Sequence, residues 1–594
     1  MKKVNIFIAV FIVMAISFNI KAQTPQYDEQ INVVAPYEPS VSDANKININ
    51  PEYVNIELEK EKINYNISSQ LTNLPRHKTF GLDPLDPRRE SLNVKKHIFY
   101  GKFGFGSNIE PYADVYVNSS DNKKLGGGFH VKHNSAWRQM QDVYDNSFSD
   151  TDFDIYGKIK FNNNELQARG FYSHNMFNYY GVSKSDFSDV EEMYNKEDNL
   201  TKEKLHTYGG EISLSNIKTT KTDYSVLLNY TGFQAGNEFK SHSINLPVNF
   251  NYYSKLFRKS KKEDWSIKFL ANYNFSTVDF GYHLEKFNNY IFSIEPSYSL
   301  HIGAFALKLG LNANFFNDNT TADNKFKANI HPVAEIKTTI VPEAFSLRIG
   351  IKGESYRNNM MLLYDLCKYI APATALYQNN SNADFQYITN EKYNLYGVFD
   401  TRFGKYINFS AGVQIIQYDN LPIFSASRNA LDSYEGNIPF YLTDFDVNFA
   451  NLRKVSISAD LTLDYWRSLF INFQGKYNII ELNDTEQIQY AYNMPAFEVY
   501  ALAKYVLPNK KLSFSAQFAL LGGIKDVNVM SDSKELIDIP LIYDLGLTCN
   551  YKIKTGIDLW LNLNNLLHYK NKLYIYQLYP EYPANVMLGV TFSL

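Results

Sequence analysis

The sequence has few cysteines, little net charge and no long apolar run after its first residues. Only Cys367 and Cys549 occur in 594 residues, too few for a disulfide framework or a cysteine-based metal cluster. A single disulfide between them is conceivable, but Cys549 shares an apolar face with Leu545, Leu547 and Tyr551, which favours a free thiol. A formal net charge of −3 gives no indication of nucleic-acid binding.

Beyond its N-terminus the chain also lacks an apolar helix of about 20 residues, which argues against a helical membrane protein. The mean hydropathy of −0.34 is that of a hydrophilic chain. Aromatic residues are nevertheless abundant, with 46 Tyr and 42 Phe bringing Phe, Tyr and Trp to 15% of the sequence. A transmembrane β-barrel, apolar on one side of each strand and belted with aromatic residues, is compatible with this combination.

Catalytic signatures are missing as well. The sequence contains no G-x-S-x-G elbow, no H-E-x-x-H pair and no Gly-rich phosphate loop. The glycines of residues 101–106 lie in a strand pattern, where glycine permits curvature or close packing. His130 and His133 with Ser135 could be pictured as the base and nucleophile of an outer-membrane phospholipase, but no third group is identifiable. We therefore expect no enzyme activity and no cofactor, and we identify no catalytic or metal-binding residue.

Residues 1–22 predict a secretory signal peptide. Lys2 and Lys3 precede an apolar run over residues 6–20, and Ala22 stands before Gln23. An uncleaved anchor helix is the alternative. No Cys follows the apolar run, so a lipoprotein anchor is not expected.

Residues 23–96 are polar and rich in Pro and Asn, without sustained alternation. They predict an irregular extension, a reduced plug or docking segment on the periplasmic side of a barrel or in its lumen. A short apolar stretch within it is the sort of peptide that adds as a strand to a partner's sheet. The alternative is a buttress packed against the barrel mouth. The stretch consists of Ile31, Asn32, Val33, Val34 and Ala35.

From His97 onward the sequence repeats the period-2 pattern of half-buried strands. In residues 455–465 every second residue is apolar, whereas Asp460 and Asp464 fall on the opposite, polar face. The same alternation occurs at 265–275, 305–315 and 585–594. Such strands have one apolar face that is shielded from water and one polar face that is exposed to it. We therefore interpret the two aspartates as lumenal polar residues rather than as an acid and base.

The pattern predicts an all-β fold: a transmembrane antiparallel β-barrel of about 22 strands over residues 97–594. If Leu594 lies in the periplasm, the directions of all strands follow. Upward strands are predicted to begin near His97, Lys123, Leu166, Thr220, Asp264, Ala304, Ala344, Tyr406, Leu469, Lys511 and Gly556. Downward strands are predicted to begin near Glu110, Thr151, Glu203, Lys240, Phe287, Phe326, Glu391, Arg453, Ala496, Pro540 and Asn585.

Connection lengths support this assignment, because outer-membrane barrels have short periplasmic turns and longer outer loops. All proposed inner connections are short, including the basic run 255–262, which we interpret as a solvated turn. Residues 357–370 predict a short amphipathic helix that folds into the lumen or meets a partner. The final strand is expected to close onto residues 97–107. The long outer connections are predicted at 134–150, 182–202, 357–387, 419–452, 483–494 and 526–539.

Several stretches together resemble a family of outer-membrane proteins from Bacteroidota that are commonly labelled TonB-dependent receptors or receptor-like barrels. The resemblance runs from about Gln30 to the C-terminus, and the apolar stretch at residues 31–35 within it would suit a TonB box. Two features depart from the family: the extension is too short for a full plug, and the chain ends in Leu594 rather than an aromatic residue, with Phe592 two positions away. The stretches are Val33–Asn48, Gly101–Gly106 with Pro111–Tyr112, Val131–Ser135, Tyr179–Gly181, His331–Pro332, Val341–Pro342, Leu559–Leu567, Pro583 and Leu588–Phe592.

Two functions are therefore expected. The first is transport of a nutrient across the outer membrane, with TonB or another periplasmic protein as partner. The alternative is a non-transporting partner subunit of an outer-membrane assembly or export complex. Outer-membrane lipid is the surrounding partner in both. Because a 22-stranded barrel leaves a wide lumen, we expect residues 23–96, the loop 357–387 or another protein to fill it.

Overall fold

The computed structural model describes residues 98–594 except for the following short gaps. The predicted signal peptide, the extension with residues 31–35, and the basic run 255–261 lie outside the described residues. The gaps are 120–123, 141–142, 144, 182–201, 218–220, 255–261, 280–283, 319–325, 342–343, 371–387, 405, 432–439, 466–467, 484–487, 530–534, 569–572 and 577–578.

Twenty-two of the strands form one closed antiparallel sheet, which confirms the predicted fold class. Each strand pairs with its neighbours along the chain. The barrel strands are β1 Phe99–Gly106, β2 Glu110–Asn118, β3 Leu125–Ala136, β4 Phe148–Phe161, β5 Asn164–Asn178, β6 Lys202–Asn216, β7 Thr222–Ala235, β8 Phe239–Ser254, β9 Lys262–Asp279, β10 Leu284–Ile302, β11 Phe305–Asp318, β12 Lys327–Val341, β13 Phe345–Arg357, β14 Ile388–Phe403, β15 Ile407–Leu431, β16 Phe440–Tyr465, β17 Leu469–Leu482, β18 Phe497–Val506, β19 Leu512–Gly522, β22 Ile542–Lys554, β23 Ile557–Asn564 and β26 Asn585–Ser593.

A helix, a 3-10 turn and two small hairpins lie in the connections between barrel strands. Helix α1 (Met360–Leu366) follows β13, and a 3-10 turn (Leu566–His568) follows β23. Two hairpins stand apart from the barrel sheet. They are β20 Ile524–Val527 with β21 Leu536–Ile539, and β24 Leu573–Tyr576 with β25 Tyr579–Glu581.

The barrel closes where the sequence predicts, between its first and last strands. The β1–β26 pairing runs from Tyr100 opposite Ser593 to Gly106 opposite Met587. Closure leaves no unpaired sheet edge, which is the condition for a sheet to cross a membrane.

The exposed face of the barrel is apolar and the lumenal face is polar. On β26, Leu588 is 60% exposed whereas its neighbour Met587 is 6% exposed. Phe105 on β1 and Ile330 on β12 are likewise 58% and 67% exposed. The opposite face carries polar residues such as Asp460, which is 7% exposed. A belt of exposed apolar and aromatic side chains around a closed sheet suits contact with lipid.

Among the described residues, no helix is long and apolar enough to cross a membrane.

The two ends of the barrel differ in the length of their connections, as predicted. At the turn end, where residues 162–163 join β4 to β5, no connection exceeds the seven residues 255–261 between β8 and β9. The opposite end, called the loop end, carries the long connections, including residues 179–201 and 358–387.

Predicted strand starts agree with the structure to within a few residues, with one exception. The loop predicted at 419–452 is wrong: β15 continues to Leu431 and β16 begins at Phe440. Asn420 adopts a φ of +55°, and the strand register shifts between Tyr418 and Leu421. This bulge inverts the period-2 pattern, so the alternation looks broken in the sequence although the strand continues.

At one point on its lumenal face, the seam between β1 and β26 has no room for a side chain. Gly104 and Gly589 lie opposite each other on β1 and β26, and the Trp560 indole, 2% exposed, packs over them. A methyl group on Gly589 would overlap both the Phe103 carbonyl oxygen and the indole. Here glycine is required by the close approach of an aromatic ring to the backbone.

We predict that Gly589→Ala destabilises the barrel by about 1–3 kcal/mol, because the backbone and indole must move to admit the methyl group. The measurement is the denaturant concentration at which the folded, heat-modifiable species is lost on gels. Gly157→Ala is the matched control, since a methyl group there meets nothing within 4 Å. Equal stability of the two variants would contradict a tightly packed seam.

Candidate functional site at the loop end

A buried apolar cluster, here called the cap, occupies the loop end of the barrel. Its members come from strand ends on several sides of the barrel, from α1 and from both hairpins. Their side chains are at most 8% exposed. The members are Val143, Phe177, Tyr179, Tyr180, Leu205, Phe233, Ala235, Phe239, Met360, Leu363, Tyr364, Cys367, Tyr369, Ile370, Phe424, Ala426, Phe445, Val447, Ala519, Leu521, Ile524, Val529, Ile539, Ile542, Tyr576 and Tyr579.

Helix α1 forms the centre of the cap. Asn359 begins it as an N-cap, its side-chain oxygen accepting the backbone N–H of Leu362 at 2.8 Å, which satisfies one of the free donors of the first turn. Met360, Leu363 and Tyr364 are the buried residues of the helix. The predicted amphipathic helix is therefore confirmed, and its apolar face packs inward against the cap rather than outward.

The chain around α1 is anchored at its start by a lumenal cation. Arg357, the last residue of β13, donates to Ser243 Oγ at 2.9 Å and also to Asn272 Oδ1. These acceptors lie on β8 and β9, several strands away. The fully buried Asn358 then donates to Thr389 Oγ1 at 2.8 Å. The start of the loop is thus fixed to the inner wall.

Tyr369 and Ile370, just after α1, connect opposite walls of the barrel. Tyr179 OH, after β5, donates to the Ile370 carbonyl at 2.7 Å. The Phe445 N–H, on β16, donates to the Tyr369 carbonyl at 3.1 Å. In the sheet order, β16 lies eleven positions from β5 among the twenty-two strands. The Tyr369–Ile370 segment therefore joins parts of the chain that belong to opposite sides of the barrel.

An aromatic stack completes the cap. The rings of Tyr369 and Tyr579 stack with centroids 3.9 Å apart, and Phe445 packs at 4.8 Å from the ring of Tyr576. Because Tyr576 and Tyr579 belong to β24 and β25, the last hairpin of the chain is joined to the α1 loop. A side chain at Gly181 would overlap the Tyr579 ring, which explains the need for glycine there.

The hairpin β20–β21 is attached to the cap through a buried carboxyl group. Asp526 Oδ1 accepts the backbone N–H groups of Ala426 at 3.0 Å and Val527 at 2.8 Å. Burial raises the pKa of Asp526 to about 6, because a low-dielectric surrounding disfavours the charged form.

Other titratable groups of the cap are shifted in the same sense. Burial raises the pKa of Glu581 to about 7, with Lys368 acting in the opposite direction. Burial also raises the pKa of the Cys367 thiol to about 12. These acids carry less charge near neutral pH than exposed ones, which suits a closed apolar seal.

Below the cap, the inner wall of β2–β6 carries a ladder of charged groups. His130 Nε2 lies 2.8 Å from Asp114 and its Nδ1 lies 3.3 Å from Asp154. Arg169 contacts Asp154 and lies 3.5 Å from Glu211. The lumenal face below the cap is therefore polar and charged, unlike the interior of a small barrel, which side chains fill.

Catalytic geometry around Ser135 is incomplete. His133 Nε2 lies 3.1 Å from Ser135 Oγ, and a third group absent from the sequence analysis, Thr151 Oγ1, lies 2.8 Å from His133 Nδ1. Ser135 is, however, 0% exposed and accepts the Trp137 indole N–H, while His130 lies on the opposite face of β3. We draw no catalytic role from it.

The other residues singled out in the sequence have the following positions and contacts in the structure. Cys367 and Cys549 are both free thiols, as expected. Asp460 is a lumenal side chain, accepting the amide of Asn472 at 3.2 Å. Among the described residues no group of three or more His, Cys, Asp or Glu could hold a metal ion. Residues 31–35 cannot be placed, because they lie outside the described part of the chain.

Sequence reasoning missed most of the cap. It found the α1 segment and noted Tyr179–Gly181 only as part of a resemblance. The Tyr179–Ile370 contact spans 191 residues, and no local pattern reveals such a pair. A weak signal was available in the tyrosines of the outer connections, such as Tyr369, Tyr576 and Tyr579.

Comparison with known proteins gives a fold but no family. No family model matches the chain, and no curated protein matches it. Solved structures do match. The FrpB iron transporter from Neisseria meningitidis aligns over 84% of this chain and 82% of its own, with a TM-score of 0.62 at 11% sequence identity.

Two further structures match equally well, each at 11% identity, with a TM-score of 0.60 and 84% of this chain covered. The pyoverdine outer membrane receptor FpvA from Pseudomonas aeruginosa PAO1 is covered over 79% of its length. The siderophore receptor PirA from Acinetobacter baumannii is covered over 80%. At this identity the likeness establishes the barrel fold that the chain shares with these iron and siderophore receptors.

Proposed function

We propose that this protein is an outer-membrane receptor-like barrel that takes a nutrient across the outer membrane. The observation that carries the proposal is the closed 22-strand barrel with an apolar outside and a polar lumen sealed at one end by a folded cap. A seal made of loops can open, whereas a solid core cannot. The titles of the matched structures, an iron transporter and siderophore receptors, make iron chelates the first cargo to test.

In this proposal the cap is the outer gate. The segment after α1 is held to the residues that follow β5 by two hydrogen bonds, Tyr179 to Ile370 and Tyr369 to Tyr180. On the other side it accepts the Phe445 N–H of β16, and ring packing adds to these contacts. Cargo that binds the outer face of the cap would loosen these contacts by competing for them. Such a change requires cargo to bind the open form more tightly than the closed one.

Residues 23–96 supply the inner part of the proposed machinery. We assign residues 31–35 the role of a docking strand for TonB or another periplasmic protein, because a short apolar segment can extend a partner's sheet. The rest of the extension enters the lumen from the turn end and reduces its width.

A second function has one observation in its favour. The cap joins α1, two hairpins and residues of eight barrel strands into a well-packed unit, and a permanent seal would suit a non-transporting subunit of an outer-membrane complex. This alternative predicts a partner that survives purification in mild detergent, whereas a chain that runs alone at every step argues for the receptor.

Deleting the gene should abolish uptake of one class of cargo among iron chelates, oligosaccharides and peptides, measured with labelled substrates. Restoring the full chain should restore that uptake. Unchanged uptake across the whole set would contradict the proposed function.

Tyr369→Ala should loosen the cap, because it removes the ring that stacks on Tyr579. Truncating a buried aromatic side chain costs about 3–5 kcal/mol, and we expect faster hydrogen exchange of α1 together with greater sensitivity to a large antibiotic. Tyr490→Ala is the control, because Tyr490 is 41% exposed at the same end of the barrel. An unaltered exchange rate in Tyr369→Ala would rule out the gate.

Removing residues 27–88 should raise permeability to large antibiotics, since the proposed lumenal filling would be lost. Removing only residues 31–35 should leave permeability unchanged but reduce uptake, because the docking strand alone is missing. If the longer deletion leaves the permeability barrier intact, the extension does not narrow the lumen.

A further inference from the structure

A row of polar and basic side chains runs along the outside of the barrel near its loop end. The cross-strand pairs are continuous from β3 to β10. We call these eight positions the outward row. They are His133, Thr151, His174, His206, Gln234, Lys240, Thr277 and Lys286.

The outward direction of the row follows from the alternation of each strand. On β5, Tyr172 is 41% exposed and His174 lies two residues further along the same face. On β8, Ile244 is 46% exposed, and Lys240, four residues earlier, lies on the same face. Since residues i, i+2 and i+4 of a strand share a face, the row continues the lipid-facing surface toward the loop end.

Aromatic residues border the row on the side of the apolar belt. Tyr172 OH lies 2.9 Å from His206 Nδ1. Tyr230 OH lies 2.9 Å from Nδ1 of His242, which is two residues after Lys240 on the same face of β8. The imidazoles are thus oriented by tyrosines of the belt. Tyrosines enriched at this level mark the interface between hydrocarbon and headgroups.

Carboxylates are scarce among the described residues of this surface. None of the eight positions is acidic. The neighbouring carboxylates Asp150, Asp152 and Glu203 lie on the opposite faces of their strands, toward the lumen, whereas Glu238 is an exposed carboxylate two residues before Lys240. Lys204, two residues before His206, is also outward and exposed. Within the described residues, Lys204, Lys240 and Lys286 take part in no ion pair with a carboxylate.

The far side of the barrel is different. Arg453 on β16 also faces outward near the loop end, but Glu481 on β17 lies directly opposite it. Lys392 near the same end pairs with Asp419 at 2.9 Å. Cations there are compensated by carboxylates of the chain itself, so the row without acidic positions is a local feature and not a property of the whole rim.

We propose that the outward row binds the phosphates of a phosphorylated lipid headgroup in the leaflet at the loop end. Basic residues at the interface attract anionic headgroups, and long Lys side chains reach them from the edge of the hydrocarbon. The row borders an apolar belt, so a ligand with an anionic head and an apolar tail satisfies both surfaces at once. Free phosphate would satisfy only the row. The inference rests on the proposed membrane placement, but not on transport.

The test uses the purified full-length chain and diphosphoryl lipid A in neutral detergent micelles, with binding followed by native mass spectrometry. The variant Lys204→Gln/Lys240→Gln/Lys286→Gln should bind this lipid about tenfold more weakly or worse, since each Lys near an anionic surface contributes substantially to binding. The same lipid without its phosphates should bind wild type and variant equally. Heat-modifiable migration on gels verifies that the variant is folded.

Arg453→Gln is the matched control, an outward cation opposite a carboxylate, and it should retain wild-type binding. The proposal is overturned if the triple variant binds lipid A as wild type does, or if Arg453→Gln loses as much affinity. Displacement of lipid A by millimolar inorganic phosphate would also overturn it, in favour of a free-phosphate site. Nutrient uptake is a separate readout, so failure of transport would leave this result standing.

Discussion

Closure of the sheet is the constraint on which the rest of this structure depends. A strand in hydrocarbon must have its backbone N–H and C=O groups bonded to neighbouring strands, because no water is present to satisfy them. The first and last strands therefore have to meet, and they meet where Gly104 faces Gly589 under the Trp560 indole. Once the ends are joined, every alternating strand has one face toward lipid and one toward the lumen. The apolar belt, the charged inner wall and the outward row all follow from that division.

Closure also creates the problem that the cap solves. Twenty-two strands enclose a lumen too wide for wall side chains to fill, and an open lumen would breach the permeability barrier. At the loop end the seal consists of loop residues in contact with both walls. Tyr369 and Ile370 reach strands half a circumference apart, and aromatic rings fill the space between them. The buried acids Asp526 and Glu581, with raised pKa values, belong to the same dry environment. The cap thus combines residues of the outer connections with residues of the barrel strands that they join.

Much of the barrel was predictable because its signal is local. Period-2 alternation located the strand starts, and connection lengths oriented them, as residues 585–594 illustrate. The one large error, at 419–452, arose where Asn420 in a left-handed conformation inverted the alternation. The helix near residues 360–366 was also accessible from its spacing. The cap was not, because its contacts join residues such as Tyr179 and Ile370 that are 191 positions apart. The third partner of His133, Thr151, was missed for the same reason.

By itself, the sequence determined the class of fold, the strand count, the alternation of short and long connections and the closure of residues 585–594 onto the first strand. These depend on a repeat that each strand carries within ten or so residues, and on the rule that a membrane sheet has no free edge. Only the tertiary structure decided that the loops fold inward into a cap, and that eight polar positions from β3 to β10 form one continuous row. Both depend on register and on contacts across the barrel, where the free energy comes from side chains distant in sequence and no local pattern records their pairing.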